Sequence, residues 1–205
     1  MNELDLDPKL AKVIIHKLGS SGTPPEVGVE YFNVGLEPYL NVIENEYLND
    51  ILKYNLSSFK LIVGNYGGGK SHFLYLIRDL AWKNNYVTSY VSLSATECPF
   101  DRLELVYRNI ALNITPPLST TEILKPWEVG IEALLRKWYE QVKEEKNFLS
   151  LIKNLESTSF VNATKGALSG LSNDDEELFY SLAQWLKGED ISRDLKYKYR
   201  ISERI

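Results

Sequence analysis

The sequence predicts an α/β fold that opens with a strand, a glycine-rich loop and a helix, then turns helical, so that helix dominates the whole. Three observations predict it. Residues 64–71 read GNYGGGKS, a match to GxxxxGK[ST], with an apolar run before them and helical apolar spacing after them. Val87, Ser89, Val91 and Leu93 alternate with Thr88, Tyr90 and Ser92 as a second strand. From Asp101 onward the apolar spacing is that of helices.

The elements follow in order. Residues 8–18 place Leu10, Val13, Ile14 and Leu18 on one face of a helix, and Gly19 to Gly28 form a loop marked by Gly22, Pro24 and Pro25. A helix is expected over about 37–54, with Leu40, Ile43, Leu48, Ile51 and Leu52 toward a core. Phe59, Leu61, Ile62 and Val63 give a strand over 58–63, and Phe73, Leu74, Leu76, Ile77 and Leu80 give the helix after the loop. Arg78 and Asp79 read as its solvated face. A strand over 86–93 completes the first βαβ element of a parallel sheet. Helices then follow over 101–112, from about 123 to 142 with a start or kink at Pro126, over 147–156, and over 160–169. Asn173 with Glu176 reads as the capping box of a last strong helix that Gly188 ends. The implied organisation is a helical lead-in over 1–57, a βαβ core over 58–100, and a helical block with linker over 101–205.

The glycine loop has the chemistry of a phosphate cradle. Glycine makes up about 7% of residues, so the four fixed positions coincide by chance in about one chain of this length in a hundred. Without Cβ atoms at Gly67, Gly68 and Gly69 the backbone curls and approaches an anion closely. Amides from Gly64, Asn65 and Tyr66 onward then converge as a nest at a helix N-terminus. Lys70 is expected to reach the β- and γ-phosphates of a nucleoside triphosphate, and Ser71 to place its hydroxyl on Mg²⁺. His72 either orients the metal shell or is an ordinary satisfied histidine. The pattern predicts a P-loop NTPase-type start that binds a nucleoside triphosphate with Mg²⁺.

Composition bounds the rest. Forty-four percent apolar residues fill a core, and a net charge of −5 argues against a chain that coats nucleic acid with its whole surface. One cysteine, Cys98, excludes a disulfide framework and suits a reducing compartment. The acidic start (Glu3, Asp5, Asp7) carries no signal region, and no stretch approaches the ~20 apolar residues that span a bilayer. The expectation is a soluble cytoplasmic protein with no membrane contact.

One part of a hydrolytic site is missing. A P-loop ATPase needs an apolar strand that ends in an acid, and no run of four apolar residues leads into one. Glu97, beyond the second strand, is the remaining candidate for a water-activating acid, and it reads equally as a loop residue beside Pro99. Two strands are also too few for a complete nucleotide-binding core. Both gaps are expected if the chain is the N-terminal part of a longer protein.

Several segments together resemble one family. SGTPPEVGVEYFNVGLEPYL (21–40) is similar to the lead-in of the BREX-type ATP-binding proteins, and GNYGGGKSHFLYLIRD (64–79) is similar to their loop and helix. YVSLSATECPF (90–100) and WLKGEDISRDLKYKYRISERI (185–205) resemble their following strand and the segment after a helical insertion. Where the family often has serine at position 68, this chain has glycine, which loosens the loop without removing a donor. The resemblance implies an AAA-like P-loop ATPase of prokaryotic defence against phage, whose members continue into a Walker B strand and further domains. It also implies that Phe32 and Val34 pack on the adenine and that the backbone near Gly35 bonds its edge; Phe32 reads equally as a core anchor. DNA contact through the rest of the parent protein and an oligomer are both left open.

Two other functions compete. A nucleotide-dependent switch or scaffold would bind without hydrolysing, consistent with the absent Walker B acid. A small-molecule kinase would need clamping arginines, yet Arg136 is alone between Arg108 and Arg193. The one basic stretch with aromatics runs from Arg193 through Lys196, Tyr197, Lys198, Tyr199 and Arg200 to Arg204 and reads as a solvated linker or a phosphate contact.

Overall fold

Helices form where apolar spacing coincides with a residue that starts or stops the turn. A computed structural model describes residues 6–21, 24–119, 121–152 and 157–202; Glu3, Asp5, Gly22, Arg204 and residues 153–156 of the helix expected over 147–156 lie outside the described residues. The chain divides into two compact units, Met1–Thr88 with Pro117–Trp127, and Ser89–Pro116 with Glu128–Ile205. Helix dominates, and the named strands are two short ones, Thr88–Ser89 and Ile114–Thr115, paired in one sheet.

In the first unit, α1 (Pro8–Ser21) buries Leu10 and Ile14 against Val27, with Tyr31, Phe32, Ile123, Leu124 and Trp127 packed around them. The expected helix over 37–54 breaks into three pieces. α2 (Glu37–Val42) passes into a π-helical turn, Ile43–Leu48, and a 3₁₀ turn, Ile51–Tyr54. Asp50 between them has a non-helical backbone (φ −124°, ψ −85°), and Asn55 ends the run in the left-handed region. Of the five expected core residues only Leu48 is buried, because the breaks rotate the others off a common face. α3 (Lys70–Lys83) then buries Leu76, Ala81 and Trp82.

Residues 58–63 form no strand. They carry no regular secondary structure and no backbone hydrogen bond among the described residues, and Phe59, Leu61 and Val63 are each more than three-quarters exposed. The expectation there is corrected for a physical reason: an apolar run supplies β propensity, but a strand is held by ladder bonds to neighbours. The strand expected over 86–93 shrinks for the same reason to Thr88–Ser89.

The second unit is helical. α4 (Leu103–Leu112), α5 (Ile131–Val142), α6 (Thr158–Ser172), α7 (Glu176–Leu186) and α8 (Arg193–Tyr199) build it. Phe179, Leu182, Ala183, Trp185 and Leu186 of α7 pack on Ala163, Ala167 and Leu168 of α6, with Ile131 and Leu135 of α5. Gly166 lets the helices meet closely: a Cβ there would lie 2.5 Å from Leu182 Cδ1 and 2.9 Å from the Tyr199 ring. Two start signals are corrected. The helix expected from about 123 begins at Ile131 after Gly130 (φ 99°), beyond Pro126, and residues 121–124 form turns in the first unit. α7 is capped by Asp175, which accepts from the Leu178 amide at 3.0 Å, because Asp174 takes a left-handed conformation and shifts the start past Asn173.

Phe179 is fully buried at the centre of this core. Phe179→Ala should destabilise the unit by about 3–5 kcal/mol, read as a lower urea midpoint. Gly166→Val should cost about 1–3 kcal/mol by overpacking in the same assay.

Candidate functional site

The glycine loop and the first turn of α3 form one backbone feature. Gly67 and Gly69 take positive φ of 76° and 79°, and Gly69 is the residue from which α3 starts. A side chain at either position would be strained by that backbone, which is the reason for glycine there. The turn closes through the Gly68 amide donating to Asn65 O at 3.1 Å, and the helix begins with Phe73 N donating to Gly69 O at 2.9 Å. The amides of Gly67, Gly69, Lys70, Ser71 and His72 have no backbone partner among the described residues. Free donors at a helix start, with the positive end of the helix dipole behind them, favour an anion.

Lys70 belongs to this loop in a second way. Its Nζ donates to Gly64 O at 2.9 Å and to Asn65 O at 2.8 Å, bending the side chain back over the turn. Both acceptors are weak partners for an ammonium compared with phosphate oxygens. Ser71 is exposed beside it at the helix start, and Tyr66 is fully exposed at the loop tip. Nothing lies within 4 Å of the space a Cβ would take at Gly67 or Gly69, so the loop is open on that side.

His72 turns the other way. Its ring lies 5.0 Å from that of Phe32, tilted by 34°, and its Nδ1 is buried without a hydrogen bond. Burial holds the imidazole below its ordinary pKa, so it is neutral near pH 7. Asn33, next to Phe32, also has a buried oxygen, Oδ1, without a partner, while its Nδ2 donates to Glu37 Oε1 at 3.3 Å. The structure thus brings Phe32 to the first turn of α3 and leaves Val34 and Gly35 exposed. Glu97 lies in the other unit on an exposed turn, its amide donating to Ser94 Oγ at 3.0 Å.

Sequence reasoning missed Asn33 and the residues that hold α3 in place. Asn33 left no signal in the sequence, because it lies on extended backbone ahead of α2 and its bond to Glu37 belongs to no helical turn. Arg78 and Asp79 are not a solvated face: their side chains are only 10% and 17% exposed. Arg78 donates to Glu26 O and lies 4.5 Å from the Trp82 ring centre and 4.9 Å from that of Tyr75. Lys83 pairs with Glu30 further along. Cation–ring contacts with a buried guanidinium leave no trace in apolar periodicity.

Among the described residues no cluster of His, Cys, Asp and Glu suits a metal ion, and no helix is long and apolar enough to cross a membrane. A family model described as BREX system ATP-binding protein BrxC/D matches residues 6–205. No curated protein and no solved structure matches the chain.

Burial raises the Asp79 carboxyl to about 6, outweighing its contact with Arg78. Between about pH 4 and pH 6 the folded chain therefore keeps a proton that the unfolded chain has lost, and stability falls as pH rises through that window. Asp79→Asn should remove this slope and close a gap of roughly 1–3 kcal/mol at neutral pH, less whatever the Arg78 ion pair contributes. Urea unfolding of both proteins across that range checks it; parallel pH curves would exclude a raised carboxyl.

Proposed function

The chain belongs to the BREX system ATP-binding protein family, and from that premise we propose that residues 64–72 are where it holds the nucleotide. The observation that carries this is the row of free amides at the start of α3, curled by positive φ at Gly67 and Gly69. Gly64, Asn65, Tyr66, Gly67, Gly68 and Gly69 wrap the phosphate chain, with the free amides of Gly67, Gly69, Lys70, Ser71 and His72 as the donors. Lys70 exchanges the carbonyls of Gly64 and Asn65 for β- and γ-phosphate oxygens, a stronger charge-assisted pairing. Ser71 offers the hydroxyl that would hold Mg²⁺. Bound Mg-ATP supplies a phosphoanhydride bond and the binding energy for rearrangement.

The donor set fits such a ligand: it is open, cationic at one point, and built from a helix N-terminus. Phe32, stacked near His72, gives an apolar surface next to the loop on which a base can pack, and Val34 and the backbone at Gly35 lie just beyond it in sequence. The neutral His72 packs against Phe32 at the first turn of α3. In this reading the chain supplies the phosphate-binding loop of a P-loop NTPase at residues 64–71, acts in the cytoplasm, and serves an AAA-like ATPase of phage defence.

The alternative, binding without hydrolysis, differs in one readout, phosphate release. A kinase is less well supported. Arg136, which such an enzyme would need as a clamp, is bound to Glu176 and lies 4.4 Å from the Phe179 ring centre.

Lys70 contacts only loop carbonyls, so Lys70→Ala should fold normally and lose binding of a non-hydrolysable ATP analogue, measured by titration calorimetry. In the unaltered chain, analogue at about 100 times its dissociation constant should add roughly 2.7 kcal/mol of stability, visible as a thermal shift. An unchanged affinity in the variant would remove the loop from the binding site.

A further inference from the structure

The last helix reverses the charge of the chain. Against a net charge of −5, residues 193–200 carry Arg193, Lys196, Lys198 and Arg200 with Asp194 as the sole acid. This row is fixed in place rather than trailing. Ser192 caps α8 by accepting from the Leu195 amide at 3.4 Å, and Ile201 is buried in the core of the unit. Lys196 is buried too, and its Nζ pairs with Asp190 at 2.5 Å. Asn162 Nδ2 donates to Arg200 O at 3.4 Å, Ser202 N donates to Ser159 Oγ at 2.9 Å, and the Tyr199 ring lies over the bare backbone of Gly166.

Two recesses open on this surface. One, of about 670 Å³, is lined by Arg193, Lys196, Tyr197, Lys198 and Arg200. The other, of about 300 Å³, adds Asn162, Lys165 and Ser169, and it shares Lys198 and Arg200 with the first. The shared cations join the recesses into one track. Among the described residues Arg193, Lys165 and Arg200 have no acidic partner for their side chains, and Lys198 is engaged only with the Tyr199 ring. Beside the track the Tyr197 ring is 89% exposed.

Cations strung along a track match an anion that repeats along a chain, rather than a single phosphate in a closed pocket. An exposed ring beside them matches an unstacked base, which a duplex does not offer and an acidic peptide does not contain. We propose that Arg193, Lys198, Arg200 and Lys165 bind the phosphodiester backbone of a single-stranded nucleic acid, with one base stacked on Tyr197. This site lies in the second unit and uses none of the glycine-loop residues.

The test is fluorescence anisotropy of a labelled oligothymidylate of about 20 nucleotides with the full chain. The logarithm of the binding constant should fall against the logarithm of salt with a slope of about −2 to −3, for three to four phosphate contacts. Reversing Arg193 and Lys198 to glutamate should weaken binding at least about tenfold and flatten the slope by about one or more. The same reversal at Lys9 and Lys12 on α1 should leave binding unchanged. Tyr197→Ala should weaken the oligonucleotide about five- to a hundredfold and leave competition by polyglutamate unaffected. These side chains are exposed, so unaltered melting temperatures should accompany the losses; if the double variant misfolds, the salt slope and Tyr197→Ala still decide. Absence of saturable binding at about 50 mM salt, indifference to either variant, or tighter binding of a duplex than of the single strand would overturn the proposal.

Discussion

Arg78 holds the arrangement from which the rest of the first unit follows. Its guanidinium lies by the rings of Tyr75 and Trp82 and donates to the carbonyl of Glu26, far away in sequence. That contact, with Lys83 on Glu30, ties α3 to the segment 26–32. Once α3 is tied there, its first turn faces Phe32 through His72, and the glycine loop leads into it from an exposed stretch. A buried guanidinium needs its donors matched, and Arg78 meets this with the Glu26 carbonyl and the Asp79 carboxyl beside it. The helix that carries the loop is therefore positioned by polar and aromatic contacts as much as by its apolar face.

Asp79 shows what this anchoring costs. Its carboxyl sits beside Arg78 and is still driven toward the neutral form, because burial outweighs the neighbouring charge. At the other end of α3 the balance is reversed: the amides at its start are open, and the cation at Lys70 is occupied only by loop carbonyls. The helix is thus closed along one side and open at its tip. An open tip of this kind suits an incoming anion, since the donors need no prior unbinding from the main chain.

The second unit rests on different physics. Its core is apolar and helical, with α7 buried on α6 and small residues, Ala163, Gly166 and Ala167, permitting close approach. Polar contacts line its margins, such as Arg136 with Glu176 and Lys187 with Glu132 at 2.6 Å. The Trp185 indole nitrogen, buried without a partner, is the exception inside. α8 closes the unit with Lys196 buried and Ile201 buried just beyond its end, which leaves Arg193, Lys198 and Arg200 on the outside.

Glycine, lysine and serine at fixed spacing were legible in GNYGGGKS because the requirement is local: positive φ at Gly67 and Gly69 and a helix starting at Lys70 are properties of a few consecutive residues. α1 and α7 were legible for the same reason, since apolar residues at helical spacing mark one face within a window, although α1 runs on to Ser21 and α7 is capped by Asp175. What the sequence by itself determined is this local backbone chemistry and the family to which it belongs. Tertiary structure decided the rest. It denied residues 58–63 the neighbours a strand requires, divided the run from 123 to 142 between two units, and buried Arg78 and Asp79 on a face that reads as polar. Each of those outcomes depends on partners distant along the chain, and periodicity within a window carries no information about them.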